Sequence, residues 1–235
     1  MELNIEKSHE KNIDNILFLD FETDKKGIFF CATYKLGSTF KQVILNEDLR
    51  PFAVEKGLEC LEPLEFMIKI KKLVKNCILA AYSEAELSTI KNVLSSANII
   101  VPSIRYCNMR IAAKKYINSN PVRKKEFEGL PPFLKKADNY QKRKMRWSLA
   151  SVARLFPVEI PKAYHPGQTS QRFKYTINAL QKKQGDYSKL TITQKSKATK
   201  ALNHNWFDVE VLPVMYTKIF EENSKHIDRS IKLIE

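Results

Sequence analysis

Apolar and polar positions follow two periods along the first hundred residues. The run 16–21 (Ile-Leu-Phe-Leu-Asp-Phe) is short, aromatic and bounded by Asn15 and the charged stretch 23–26, which predicts a buried strand. Runs 28–34 and 40–45 predict two more strands, separated by Lys35, Leu36, Gly37 and Ser38, so the three form an antiparallel meander. Over 61–74 the residues Leu61, Leu64, Met67, Ile68 and Leu73 recur near helical spacing, and a helix is expected there. A buried strand over 77–82, a helix over 84–97, a short strand over 104–107 and a helix over 109–117 follow. Strands interleaved with helices in this order imply an α/β fold, a mixed β-sheet flanked by helices, within a single domain over 1–235.

The pattern changes at about 118. Pro121, Gly129, Pro131 and Pro132 break periodicity while basic residues crowd in, so 118–147 is expected to be a basic insertion or long loop. A helical stretch over 148–156 precedes a loop punctuated by Pro157, Pro161 and Pro166. Two further helices are expected over 170–183 and 193–222, the second kinked or interrupted at Pro213.

Composition narrows the classes. Lys and Arg number 40 against 26 Asp and Glu, a net charge of +14 that attracts polyanions: nucleic acid first, an anionic membrane surface second. The same excess also serves as a solubilising surface. Six glycines and the absence of G-x-x-x-x-G-K-[ST] or G-x-G-x-x-G patterns argue against a glycine-rich phosphate cradle. Cys31, Cys60, Cys77 and Cys107 are widely spaced with no C-x-x-C pair, which suits buried reduced thiols better than a zinc ribbon. Residues 1–12 carry no apolar signal core, and no apolar run approaches the roughly 20 residues a membrane span needs. A soluble, cytoplasmic protein without a membrane partner is expected.

Three segments carry candidate chemistry. In Phe18-Leu19-Asp20-Phe21-Glu22-Thr23, residues two apart share a strand face, so Asp20 and Glu22 project together while Leu19 and Phe21 project oppositely. Paired carboxylates at the end of a buried strand repel unless neutralised, and hard oxygen ligands favour Mg²⁺ or Mn²⁺. In Tyr82-Ser83-Glu84-Ala85-Glu86, either glutamate can supply another carboxylate, although Ser83-x-x-Glu86 equally reads as a capping box for the following helix. In His204-Asn205-Trp206-Phe207-Asp208, the first and last residues lie one helical turn apart beside an apolar stripe of Leu202, Trp206, Val209, Tyr216 and Phe220. Asp208 suits a metal cluster and His204 suits proton transfer from water, while an exposed His–Asp pair of small energetic value fits the same spacing. His165 reads as a loop residue.

Taken in order, these segments resemble the three motifs of the DEDD-type 3′–5′ exonuclease superfamily, whose fold is ribonuclease-H-like. Asp20 and Glu22 match its first motif, and His204 with Asp208 resembles the third. The segment 82–86 is similar to the second motif of the YprB-like branch, with Glu86 where most relatives carry Asp. The third motif places His204 at the spacing of the tyrosine branch. The resemblance spans about 16–215 but only these motifs are specific. It implies hydrolysis of phosphodiester bonds by two Mg²⁺ or Mn²⁺ ions held by Asp20, Glu22, Glu86 and Asp208. Asp20 would bridge both ions, Glu22 and Asp208 would hold the one that activates water, and His204 would orient or deprotonate the nucleophile.

Single-stranded DNA or RNA is the expected partner, gripped by basic residues interleaved with aromatics. Arg123, Lys124, Lys125, Lys142, Arg143, Lys144, Arg172 and Lys174 would track phosphates, and Phe127, Phe133, Tyr140, Trp147, Phe173, Tyr175 and Tyr187 would stack on bases or pack inward. The competing expectations are a catalytically inactive nucleic-acid-binding module of the same fold, and a scaffold whose basic face meets a protein.

Overall fold

The apolar run that opens the chain forms the central strand. In this computed structural model, which describes residues 13–131, 145–161, 164 and 167–234, β1 (Ile16–Thr23) lies in the middle of a seven-stranded sheet. On one side β2 (Phe29–Leu36) and β3 (Thr39–Ile44) continue antiparallel, completing the expected meander. On the other side β5 (Ile78–Ala81) and β6 (Ile104–Asn108) add in parallel. Two strands not foreseen from the sequence close the edges: β4 (Glu59–Cys60) beside β3, and β7 (Ile231–Ile234) antiparallel to β6.

Strand alternation distributes the core. Leu17, Leu19 and Phe21 face α2 (Pro63–Leu73) and α3 (Ala85–Ser96), against Phe66, Ile70, Leu87 and Ile90. Ile16 and Phe18 face the opposite layer with Ile78 and Ala80. There they meet α4 (Met109–Asn118), α6 (Leu149–Ala153) and α8 (Ile192–Asp228). Each fully buried side chain of this kind contributes about 1.5–3 kcal/mol. A third cluster joins Phe30, Cys31 and Ile44 to α1 (Arg50–Lys56), α7 (Thr169–Gln181) and the first turns of α8.

Three expectations are corrected. Within the supposed loop 118–147, residues Pro121–Gly129 form helix α5, started by Asn120, whose side chain accepts from the N–H groups of Val122 and Arg123. Its Phe127 is buried against Trp147, with ring centroids 4.5 Å apart, so this part of the segment belongs to the body of the fold. The helix expected over 148–156 is shorter, Leu149–Ala153. Finally, α8 passes through Pro213 without a break, and its one non-helical residue is Asn223. Pro213 is buried, and its packing offsets the hydrogen bond the imino acid cannot make. Among the described residues, no helix is long and apolar enough to cross a membrane, and the four cysteines are free thiols.

Candidate metal centre

The centre lies where β1 ends and α8 crosses the sheet. Because Asp20 and Glu22 have the parity of Ile16 and Phe18, they project toward the α8 layer while Phe21 packs on Phe66 beneath. A register shift against β2 between Glu22 and Thr23 ends regular pairing just beyond the second carboxylate. Helix α8 is started by a capping box, Thr191 with Gln194, and contacts β1 and β2 along its middle turns. That crossing brings His204, Asn205 and Asp208 over the strand, all buried.

His204 Nε2 lies 3.3 Å from Asp208 Oδ2 and 3.8 Å from Glu22 Oε1. Glu22, His204 and Asp208 offer ligand atoms that all lie within 4.8 Å of one another, a grouping able to hold a metal ion. The imidazole ring stacks on Tyr164, centroids 4.1 Å apart, and the Tyr164 hydroxyl donates to Asp208 Oδ1 at 2.5 Å. Asn205 Nδ2 donates to Asp20 Oδ2 at 2.5 Å, while its Oδ1 accepts from the Thr33 hydroxyl and from Cys31 Sγ at 3.5 Å. Thr169, the first residue of α7, hydrogen-bonds Glu22.

Glu86 joins the neighbourhood from the start of α3. Ser83 Oγ donates to its Oε2 at 3.0 Å and itself accepts from the Ala85 N–H at 3.2 Å, so the Ser83–Glu86 pair organises the helix start. Two tyrosines hold that turn: Tyr106 donates to Ser83 O, and Tyr82 to Trp147 O at 2.8 Å. Glu86 stands outside the tight Glu22–His204–Asp208 group yet is close enough to raise the pKa of Asp20, Glu22 and Asp208 electrostatically.

Burial is the first cause pushing all four carboxyls upward. Asp20 rises well above the usual range, with Asp208, Glu22 and Glu86 repelling its charge next, and Glu22 rises likewise. Asp208 and Glu86 are each pushed up to about 7. What opposes these shifts is hydrogen bonding: Asn205 to Asp20, Thr169 to Glu22, Tyr164 to Asp208, and Ser83 to Glu86.

Tyr164, Thr169 and Asn205 escaped the sequence reading. Asn205 and Tyr164 are adjacent to His204 and His165 in the chain, but only the fold brings their side chains to the acids. Of the expected nucleic-acid contacts, Arg123 is committed internally, its guanidinium 3.5 Å from the Tyr116 ring centroid and paired with Glu222. Lys124 and Lys125 are exposed on α5. Lys174 pairs with Asp24 at 2.6 Å. Arg172 is buried, 3.5 Å from Lys200 O and 3.4 Å from Gln168 Oε1. Phe127, Phe173 and Tyr187 are buried in the core, whereas Tyr175 is exposed. Phe133, Tyr140, Lys142, Arg143, Lys144 and His165 lie outside the described residues. Comparison of the chain with protein-family models, with curated proteins and with solved structures yields no match.

Proposed function

We propose that this chain is a metal-dependent nuclease of the DEDD type, hydrolysing phosphodiester bonds in single-stranded nucleic acid from the 3′ end. The observation that carries the reading is the gathering of Asp20, Glu22 and Asp208 in one place, Asp208 buried and the other two partly so, from a strand and a helix 185 residues apart at the Asp20–Asn205 contact, with His204 between two of them. Buried acids that raise one another's pKa are costly and are kept where a cation compensates them. The mixed α/β sheet is compatible with a ribonuclease-H-like fold.

The donor set fits a divalent cation: several carboxylates that pair with no Lys or Arg among the described residues, with the His204 imidazole beside them. Asp20, Glu22 and Asp208 would hold the Mg²⁺ or Mn²⁺ ions, with Glu86 at the margin. Such ions supply a more acidic water and neutralise charge on the phosphate. The chain supplies the rest. Asn205 and Tyr164 fix the carboxylate orientations by donating to them. His204, held flat by Tyr164, orients the attacking water or takes its proton at Nε2.

One observation favours the second reading, a binding module without catalysis: Glu86 is occupied by Ser83 at the helix start. A time course on end-labelled single-stranded DNA and RNA with Mn²⁺, run beside Asp20→Asn and a chelator, separates the two. Stepwise shortening from the 3′ end that both treatments abolish is expected. Internal fragments with the same dependence would make the enzyme an endonuclease, and binding of both polymers without any cleavage would leave the module.

A further inference from the structure

We propose that the groove between α7 and α8 is a stacking subsite for one nucleotide of the bound strand, with the base against Tyr175, within about three steps of the phosphate at the acids. This rests on the nuclease reading for its placement, though the base contact can be measured without cleavage. The geometry begins at Thr169, which hydrogen-bonds Glu22 at the first turn of α7. Gln168, just before it, lies three and four residues from Gln171 and Arg172, which in turn lie four and three residues from Tyr175, so the four share one side of the helix. Lys197, His204 and Asp208 form the matching stripe on α8, and the approach of Arg172 to Lys200 O ties the two helices together at mid-length. Tyr175 therefore stands six residues along α7 from the threonine that meets the acids, beside Lys197, whose Nζ lies 5.7 Å from the tyrosine ring centroid.

Gln168, Gln171, Arg172, Tyr175 and Lys197 line a cavity of about 210 Å³. That is smaller than the roughly 300–1,000 Å³ of sites for drug-sized ligands and suits a single ring system. Six residues of α7 separate Thr169 from Tyr175, about 9 Å along the axis at ~1.5 Å per residue. Stacked bases advance ~3.4 Å per step, so the tyrosine stands two or three bases from the acids. Its chemistry suits the role. Tyr175 is 46% exposed while the other described phenylalanines and tyrosines of the basic stretches, Phe127, Phe173 and Tyr187, are buried in the core. An exposed ring gives any base a stacking partner, Lys197 supplies charge for a phosphate, and the two glutamine amides donate or accept at a base edge.

The test is binding of short single-stranded oligonucleotides by fluorescence anisotropy in EDTA, using a series with one abasic residue moved stepwise from the 3′ end. Tyr175→Ala is expected to weaken binding roughly tenfold and Tyr175→Phe to leave it near wild type. An abasic residue at one position should weaken the wild type by a similar factor and Tyr175→Ala no further. The exposed position of Tyr175 lets the truncated variant fold, which its melting temperature checks. Equal binding by wild type and Tyr175→Ala, loss with no positional coupling, or no oligonucleotide binding at all overturns the subsite. Cleavage of the same strands in Mn²⁺ is scored separately: coupling at one position without cleavage retains the subsite and removes the nuclease.

Discussion

Asn205 has no charge, yet three groups depend on it. Fully buried, it donates to Asp20 and accepts from Thr33 and Cys31, so it locks the first-motif carboxylate to β2. Asn205→Ala leaves the partly buried Asp20 carboxylate without its amide donor and the buried Thr33 hydroxyl without its acceptor, a loss of about 1–3 kcal/mol. It should also weaken Mn²⁺ binding roughly 10- to 100-fold, the usual consequence of removing a partner that orients a metal ligand. Calorimetric titration with Mn²⁺ beside a thermal melt checks both; a lower melting temperature with unchanged Mn²⁺ affinity would make Asn205 a packing residue only. Protons act on the same acids. Asp208 and Glu86 titrate at about 7 in the folded protein against 3.8 and 4.5 when unperturbed, chiefly through burial. Between those limits the folded state binds more protons than the unfolded chain, so stability falls as pH rises across the window and the loss is complete above about 7. The metal-free protein should therefore melt several degrees lower at pH 8 than at pH 5.5, and Asp208→Asn should flatten the profile. A melting temperature in EDTA that holds level or rises over that interval would remove the buried acids from the account.

At the scale of elements, what could be read beforehand was periodicity and what could not was contact across the chain. The strand at β1 was legible because 16–21 is a short, aromatic apolar run bounded by polar residues, and strand alternation then put Asp20 and Glu22 on one face. Helices α2, α3 and α4 were legible from apolar spacing, each to within a few residues. The two-residue β4 is too short for any period to register, and β7 carries only four residues, largely solvent-facing, whose partner β6 lies more than a hundred positions earlier. Helix α1 had local signals, proline at its start and Gly57 after its end in the left-handed conformation, but seven residues with Phe52 and Ala53 buried make a weak stripe. The same distinction holds in the site. Asp20, Glu22, His204 and Asp208 stood out by type and spacing, whereas Tyr164 belongs to no helix or strand and Thr169 opens a helix, so only the packing of α7 and α8 over β1 gives them roles.

Across the whole molecule, four carboxylates are gathered beneath α8 at the end of β1, while the chain as a whole carries a net charge of +14, so a polyanion is drawn to the surface and repelled from the metal-free centre. A strand held by this charge releases counterions as it binds, and for single strands log K falls with log salt at a slope of about −0.7 per phosphate neutralised. If the strand follows the α7–α8 groove past Lys197 and on across the basic surface, at least three phosphates are met, giving a slope steeper than about −2 between 50 and 300 mM salt. Lys197→Ala should make it shallower by ~0.7, while Tyr175→Ala, which removes a stacking face and no charge, should lower the affinity at every salt concentration and leave the slope unchanged. Titrations of wild type and both variants at four salt concentrations read these quantities directly. A flat profile would assign the positive charge to solubility or to a protein partner, and a Lys197→Ala slope equal to that of wild type would place the strand on another face.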